Sequence, residues 1–152
     1  MKTWTIHEVT HACRLTSTEL SQWISRGQFR PSATVRSGLR RRFDWRDLAC
    51  LSTMSVLRKN SLSVNAAACV VLGLRDAIAQ MEEIEETSGL FFFTAGLCET
   101  NPGPSAGLVH IAELHRVLMR GLVSVIIVDV AKTYHDAVTV ISRSAMDDGV
   151  EA

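Results

Sequence analysis

Two tetrapeptides, Thr5-Ile6-His7-Glu8 and Thr16-Ser17-Thr18-Glu19, decide how this 152-residue sequence is read. Each has the Ser/Thr-x-x-Glu form of a capping box. The threonine hydroxyl accepts from the amide three residues on, and the glutamate reaches back to the threonine amide. Each therefore opens a helix. The first is short, with Ile6 and Val9 turned inward, and Ala12-Cys13-Arg14-Leu15 is the turn that follows. In the second, Leu20, Trp23 and Ile24 fall at i, i+3 and i+4. Gly27 stops it, as glycine does at a C-terminal cap. Two short helices with a tight turn between them make a helix-turn-helix.

Downstream come Gln28-Phe29-Arg30-Pro31, a polar stretch from Ser32 to Gly38, and Leu39-Arg40-Arg41-Arg42-Phe43. This reads as a β-hairpin, with Phe29 and Phe43 anchoring its legs and Gly38 at its tip. A hairpin in that place is a wing. Arg36, Arg40, Arg41 and Arg42 sit on it, and Arg30 lies at its base. Guanidinium suits phosphate because its planar fork donates two parallel hydrogen bonds and never deprotonates. An isolated arginine cluster is as readily a solvated face; beside a helix-turn-helix, phosphate is the stronger reading. Asp44 then caps a third helix, with Asp47 one turn in. Trp45, Leu48 and Leu51 give it an inward stripe.

From Thr3 to about Ala68 the sequence resembles the winged-helix DNA-binding domain of the MerR superfamily, which includes smaller excisionase-type modules. The matching stretches are Trp4-Thr5-Ile6-His7-Glu8-Val9, Thr18-Glu19-Leu20 with Trp23, and Arg26-Gly27-Gln28-Phe29-Arg30-Pro31. They continue through Arg41-Arg42-Phe43, Asp47-Leu48-Ala49-Cys50-Leu51 and Asn60-Ser61-Leu62-Ser63. The chain departs from the pattern where MerR regulators carry an Arg-Tyr-Tyr-like segment: it has Ser21-Gln22-Trp23, and Leu20-Ser21-Gln22-Trp23-Ile24 leans toward the excisionase branch. The resemblance implies that the second helix enters the major groove of double-stranded DNA while the wing tracks the backbone or minor groove. Ser17, Thr18, Ser21 and Gln22 are then the candidate base readers. Gln pairs bidentately with adenine, whereas Ser and Thr read ambiguously. Arg14, Arg26, Arg30, Arg36, Arg40, Arg41 and Arg42 are the candidate phosphate contacts, which position without reading sequence. Five such contacts would give a salt slope of log K of roughly −4 to −5.

Formal net charge is zero, but the zero conceals a dipolar chain. Residues 1–65 hold eleven Lys/Arg and four Asp/Glu, a net of +7, and the remainder is −7. Such asymmetry marks a basic partner-binding module attached to something else.

In the acidic part, Ser63 caps a long helix expected to reach about Thr87. Val64, Ala67, Val71, Leu74, Ile78 and Met81 follow alternating three-and-four spacing, a heptad seam. The seam reads either as an intramolecular core stripe or as the contact of a homodimer, which the resemblance places after the DNA-binding domain. Paired modules would read palindromic half-sites. Gly73 within the helix costs about 1 kcal/mol relative to Ala. Glu82, Glu83, Glu85 and Glu86 end it, where acid opposes the helix dipole. Leu90-Phe91-Phe92-Phe93-Thr94 is a buried strand, Cys98 to Gly107 a loop, Leu108 to Gly121 a helix, and Val123 to Val130 a second strand. A final amphipathic helix carries Tyr134, Ala137, Val138 and Ile141. The β-α-β-α order predicts two parallel strands with helices packed on them. The exposed edges of so thin a sheet favour an oligomer.

Other chemistry finds little footing. Cys13, Cys50, Cys69 and Cys98 are scattered without a CxxC pair and read as small buried hydrophobes; a metal or redox sensor would group them. His7 and His11 stand at metal-clasping spacing near Cys13, but surface histidines are the plainer reading. His110, His115 and His135 could gather with Glu113, Asp129 or Asp136, yet nothing in the spacing supplies a nucleophile with a base. No P-loop, Rossmann fingerprint or HExxH occurs. The loop around Asn101-Pro102-Gly103-Pro104 could lid an effector pocket or be plain surface. No signal-peptide core or membrane-length apolar run is present, so the expected setting is the cytoplasm, at the nucleoid.

The expected architecture is α+β. It comprises a winged helix-turn-helix over residues 1–62, a linking or dimerisation helix over 63–88, and a small α/β domain over 89–152 that dimerises or receives a protein partner or small effector. The expected activity is regulation of transcription by a MerR-like factor, with no enzyme activity, cofactor or metal. The alternatives are an excisionase-like, phage-type architectural factor that bends DNA, and a DNA-located adaptor that binds a protein.

Overall fold

The computed structural model describes residues 2–32, 40–85, 88–96, 105–120, 122 and 124–147. Helices α1 (Ile6–Cys13), α2 (Ser17–Ser25), α3 (Trp45–Lys59) and α4 (Val64–Ile78) precede strands β1 (Leu90–Gly96) and β2 (Ala106–His110). A 3-10 turn at Ile111–Glu113 leads into α5 (Leu114–Leu118), followed by β3 (Ser124–Asp129) and α6 (Val130–Asp147).

Both capping boxes form as expected. Glu8 N donates to Thr5 Oγ1 at 3.3 Å and Thr5 N to Glu8 Oε2 at 2.6 Å; the Thr16–Glu19 pair repeats this at 3.1 and 2.8 Å. Arg14 takes a left-handed conformation, φ 53°, to close α1, and Gly27, φ 71°, follows the cap of α2. A third box, Asp44 with Asp47, starts α3. This helix is the centre of the molecule, with Leu48, Leu51 and Met54 fully buried. Its Ser55 hydroxyl donates to the Cys13 carbonyl at 2.6 Å, fixing the end of α1.

Phe29 and Phe43 are both buried, and Phe43 pairs with Trp4 in an isolated antiparallel bridge. The stretch expected to form the hairpin tip, including Arg36, lies outside the described residues.

Ser63 caps α4, its hydroxyl accepting from Ala66 N at 3.2 Å. The helix ends at Ile78, not near Thr87. Arg46 of α3 donates through Nε to the Ile78 carbonyl at 3.4 Å and through Nη2 to the Met81 carbonyl. A side chain 32 residues upstream thus takes carbonyls at the end that further turns would have used, and Glu82, Glu83 and Glu85 follow outside the helix. Of the two readings of the three-and-four stripe, burial within the chain supports the intramolecular one. Ala67, Val71, Leu74 and Ile78 are buried within this one chain, and Val64 and Met81 pack at the margin of the same core. That stripe faces α3 and the sheet, so it is an intramolecular core stripe. Gly73 permits the approach: a Cβ there would stand 3.3 Å from the Phe92 ring.

The sheet corrects the parallel-strand expectation. Its order is β2-β1-β3, and β1 is antiparallel to both neighbours, with Phe92 opposite Leu108 on one side and Val128 on the other. The sequence reading missed β2, because Ala106-Gly107 is weakly strand-forming and Leu108, Ile111, Leu114 and Leu118 also fit a helical spacing. The observed helix is correspondingly short. Since β2 and β3 both oppose β1, they run parallel to each other, and the strand that feeds the helical crossover is β2. The inner face of the sheet, Phe92 and Val128 with Leu90, Leu108 and Ile126, joins the main core. The outer face, Phe93 and Val109 with Phe91, Val125 and Ile127, packs under Leu114 and Val117 of α5. This period-two division explains why Leu90-Phe91-Phe92-Phe93 is apolar throughout.

Helix α6 then returns to the helix-turn-helix. Val130, Ala131, Tyr134, Ala137 and Ile141 enter the same core as Trp4, Val9 and Leu48, with α6 packed on α1 and α3. The core is therefore continuous across the expected boundaries at residues 62 and 88. Among the described residues, no helix is long and apolar enough to cross a membrane.

Candidate nucleic-acid interface

Helix α2 buries Leu20 and Trp23 and leaves the opposite side free. Thr18, Ser21 and Gln22 are exposed and Ser17 is half-buried. Their i, i+1, i+4, i+5 spacing puts all four on one helical face, so the structure brings the expected base readers together. Their side chains can donate and accept, and they belong to a helix fixed behind by the core.

Arg14 projects from the turn between α1 and α2, Arg26 caps α2, and Arg30 follows on the chain leaving it. Arg40 and Arg42 are exposed on the approach to Phe43, with Arg41 half-buried between them. Ion pairs among the described residues are Arg75–Asp47, Arg116–Glu113 and Lys132–Asp136, so these six arginines are uncompensated by direct carboxylate contacts. Such cations remain available to phosphate.

Behind this surface lies a polar network that the sequence reading missed. The Asp47 side chain, with 0% exposure, accepts from the Ser32 amide at 2.9 Å, from the Ser32 hydroxyl at 3.0 Å, and from the Asp44 amide at 3.3 Å. Arg75 Nη2 on α4 donates to it at 2.9 Å. Burial raises this carboxyl above its ordinary value, and the Arg75 charge opposes the shift. In the sequence Asp47 is legible only as a helix-capping acid. The signal for Arg75 is its place as a cation within an otherwise largely apolar helix.

The remaining candidates separate. Cys13 and Cys50 are buried, and burial pushes both thiols up to about 12, while Cys69 is exposed. Cys98 and the Asn101–Pro104 loop lie outside the described residues. His7 and His11 are exposed, whereas Cys13 is buried. His110 accepts from Ala112 N through Nδ1, and His135 Nε2 contacts the Ile84 carbonyl at 2.7 Å. Among the described residues, no three His, Cys, Asp or Glu side chains gather as a metal site.

The family model described as MerR HTH family regulatory protein matches residues 4–72, and no family model matches the C-terminal half. No curated protein matches the chain. The matched stretch, similar to that family's helix-turn-helix, spans α1 through the middle of α4.

Proposed function

We propose that this protein is a sequence-specific transcriptional regulator of MerR-like type that occupies operator DNA as a dimer, without a chemical step. The observation that carries the reading is the α2 face of exposed Thr18, Ser21 and Gln22 with half-buried Ser17 within the matched segment, flanked by arginines with no ion-pair partner among the described residues. Helix α2 enters the major groove, where Gln22 pairs with adenine and the hydroxyls make less selective contacts. Arg14, Arg26, Arg30, Arg40, Arg41 and Arg42, with Arg36 of the expected hairpin, hold phosphates and set the register.

Two modules bind two half-sites. With the α4 stripe buried inside the subunit, the partner surface belongs to the C-terminal half. There Ile111, Leu118 and Met119 are 56%, 52% and 82% exposed. Apolar side chains so exposed favour a second protein surface. The same half is where a protein partner or effector would act, and the site of action is the nucleoid.

The test is selection from a pool of random duplexes, followed by sequencing of the retained fragments. Enrichment of paired, inverted half-sites is expected. A retained pool with no shared motif would remove sequence-specific regulation.

A further inference from the structure

The chain leaving α2 is tied to α4 at two points. Gln28 Nε2 donates to Asn65 Oδ1 at 2.7 Å near the start of α4. Ten residues further along that helix, about 15 Å, Arg75 Nη1 donates to the Ser32 hydroxyl at 2.9 Å. Between these ties Phe29 is buried, and the Arg75 guanidinium lies 5.1 Å from its ring centroid. The Ser32 hydroxyl is used in both directions, accepting from Arg75 and donating to Asp47, while its amide donates to the same carboxylate. Arg75 also donates to Asp47 directly. Three side chains from three separate parts of the chain thus close around one backbone amide. Ser32 is two residues beyond Arg30 and four before Arg36, both candidate phosphate contacts.

We propose that Arg75 is a positioning residue for DNA binding: through Ser32 and Asp47 it fixes the chain segment that presents Arg30. The proposal rests on the DNA-binding reading above. A planar fork is needed, because one donor nitrogen must meet Ser32 and another Asp47 at the same time. A lysine ammonium is a point charge on a flexible stem and keeps the charge without that geometry. Helix α4 therefore governs the placement of that phosphate contact from behind it. Two aligned hydrogen bonds and an aromatic face hold the guanidinium in one position, unlike a mobile surface ion pair.

The experiment compares the full-length protein with Arg75→Lys and Ser32→Ala. Ser32→Ala retains the Arg75–Asp47 pair, so it remains informative if Arg75→Lys folds poorly. The first readout is hydrogen exchange at the amide of position 32, referenced to amides within α3. The second is affinity for a duplex selected with the wild type, measured over a salt series. In both variants the position-32 amide should exchange at least tenfold faster while α3 protection is retained. Affinity should fall roughly tenfold, as expected for loss of a charge-assisted hydrogen bond. The salt slope should flatten by about one as Arg30 loses its placement. An unchanged position-32 amide together with an unchanged slope would overturn the positioning role. Failure of the wild type to retain any duplex would overturn the DNA-binding reading itself, and it is seen before any variant is compared.

Discussion

Trp4 and Phe43 exchange both backbone hydrogen bonds, each at 2.9 Å, and both side chains are almost wholly buried. The bridge joins the chain entering α1 to the chain entering α3, so the helix-turn-helix is closed by main-chain pairing. Replacing Phe43 with Ala removes a ring with 0% exposure from the centre of that closure. The expected loss is about 3–5 kcal/mol, measured by urea unfolding, and a loss below about 1 kcal/mol would contradict this role for the ring.

The second capping box gives a pH prediction. The Glu19 carboxyl is held below its ordinary range, first by the Thr16 amide and then by the Thr16 hydroxyl. Because the folded value is below the unfolded one, the stabilisation is fully present above about pH 4.3. It is lost as pH falls through the folded value. An NMR titration of the Glu19 side chain should give a midpoint below that of a free glutamate. Thr16→Ala should cost about 0.5–2 kcal/mol.

Gly73→Ala should fail to stabilise the protein. Helix propensity alone favours alanine by about 1 kcal/mol. The new methyl, however, would stand 3.3 Å from the ring of Phe92, which is 1% exposed and has little freedom to yield. Gly73→Leu should destabilise strongly. A rise in melting temperature for the alanine variant would show that the sheet moves away easily.

Ala137→Asp places a carboxylate on the buried face of α6, 3% exposed and packed toward the helix-turn-helix. A buried charge without a partner costs several kcal/mol or neutralises. Trp4, Trp23 and Trp45 are the chain's three tryptophans and all lie in the first 45 residues. Their fluorescence should therefore melt at a lower temperature in this variant, although the change is at residue 137. An unchanged tryptophan transition would mean that the two ends of the chain fold independently.

Replacing Arg40, Arg41 and Arg42 together with Ala should weaken DNA binding uniformly across sequences. Each phosphate contact contributes about 0.9 to the salt slope, so the slope should flatten by up to about 2.7. Gln22→Ala should instead relax preference at one base position by roughly 1–3 kcal/mol. The two effects are separated by a salt series on matched and mismatched duplexes.

The local beginnings of the fold were legible because their determinants are local. Thr5 with Glu8, Thr16 with Glu19, Gly27 and Ser63 each act within a few residues, and the structure uses them as read. The four-residue face on α2 follows from helical periodicity alone. What lay beyond the sequence is set by long-range partners. Arg46 ends α4 from 32 residues away, and Arg75 meets Asp47 across 28. Strand β2 is a strand because Phe91, Phe92 and Phe93 of β1 offer it a ladder, despite its own weak preference. The three-and-four stripe on α4 states only that one face is buried; whether a second subunit or the same chain covers it is decided by how α3 and the sheet fold over it. A sequence thus determines which faces must leave water, while tertiary structure decides what covers them, because apolar burial is non-directional and the contacts that select a partner are not local.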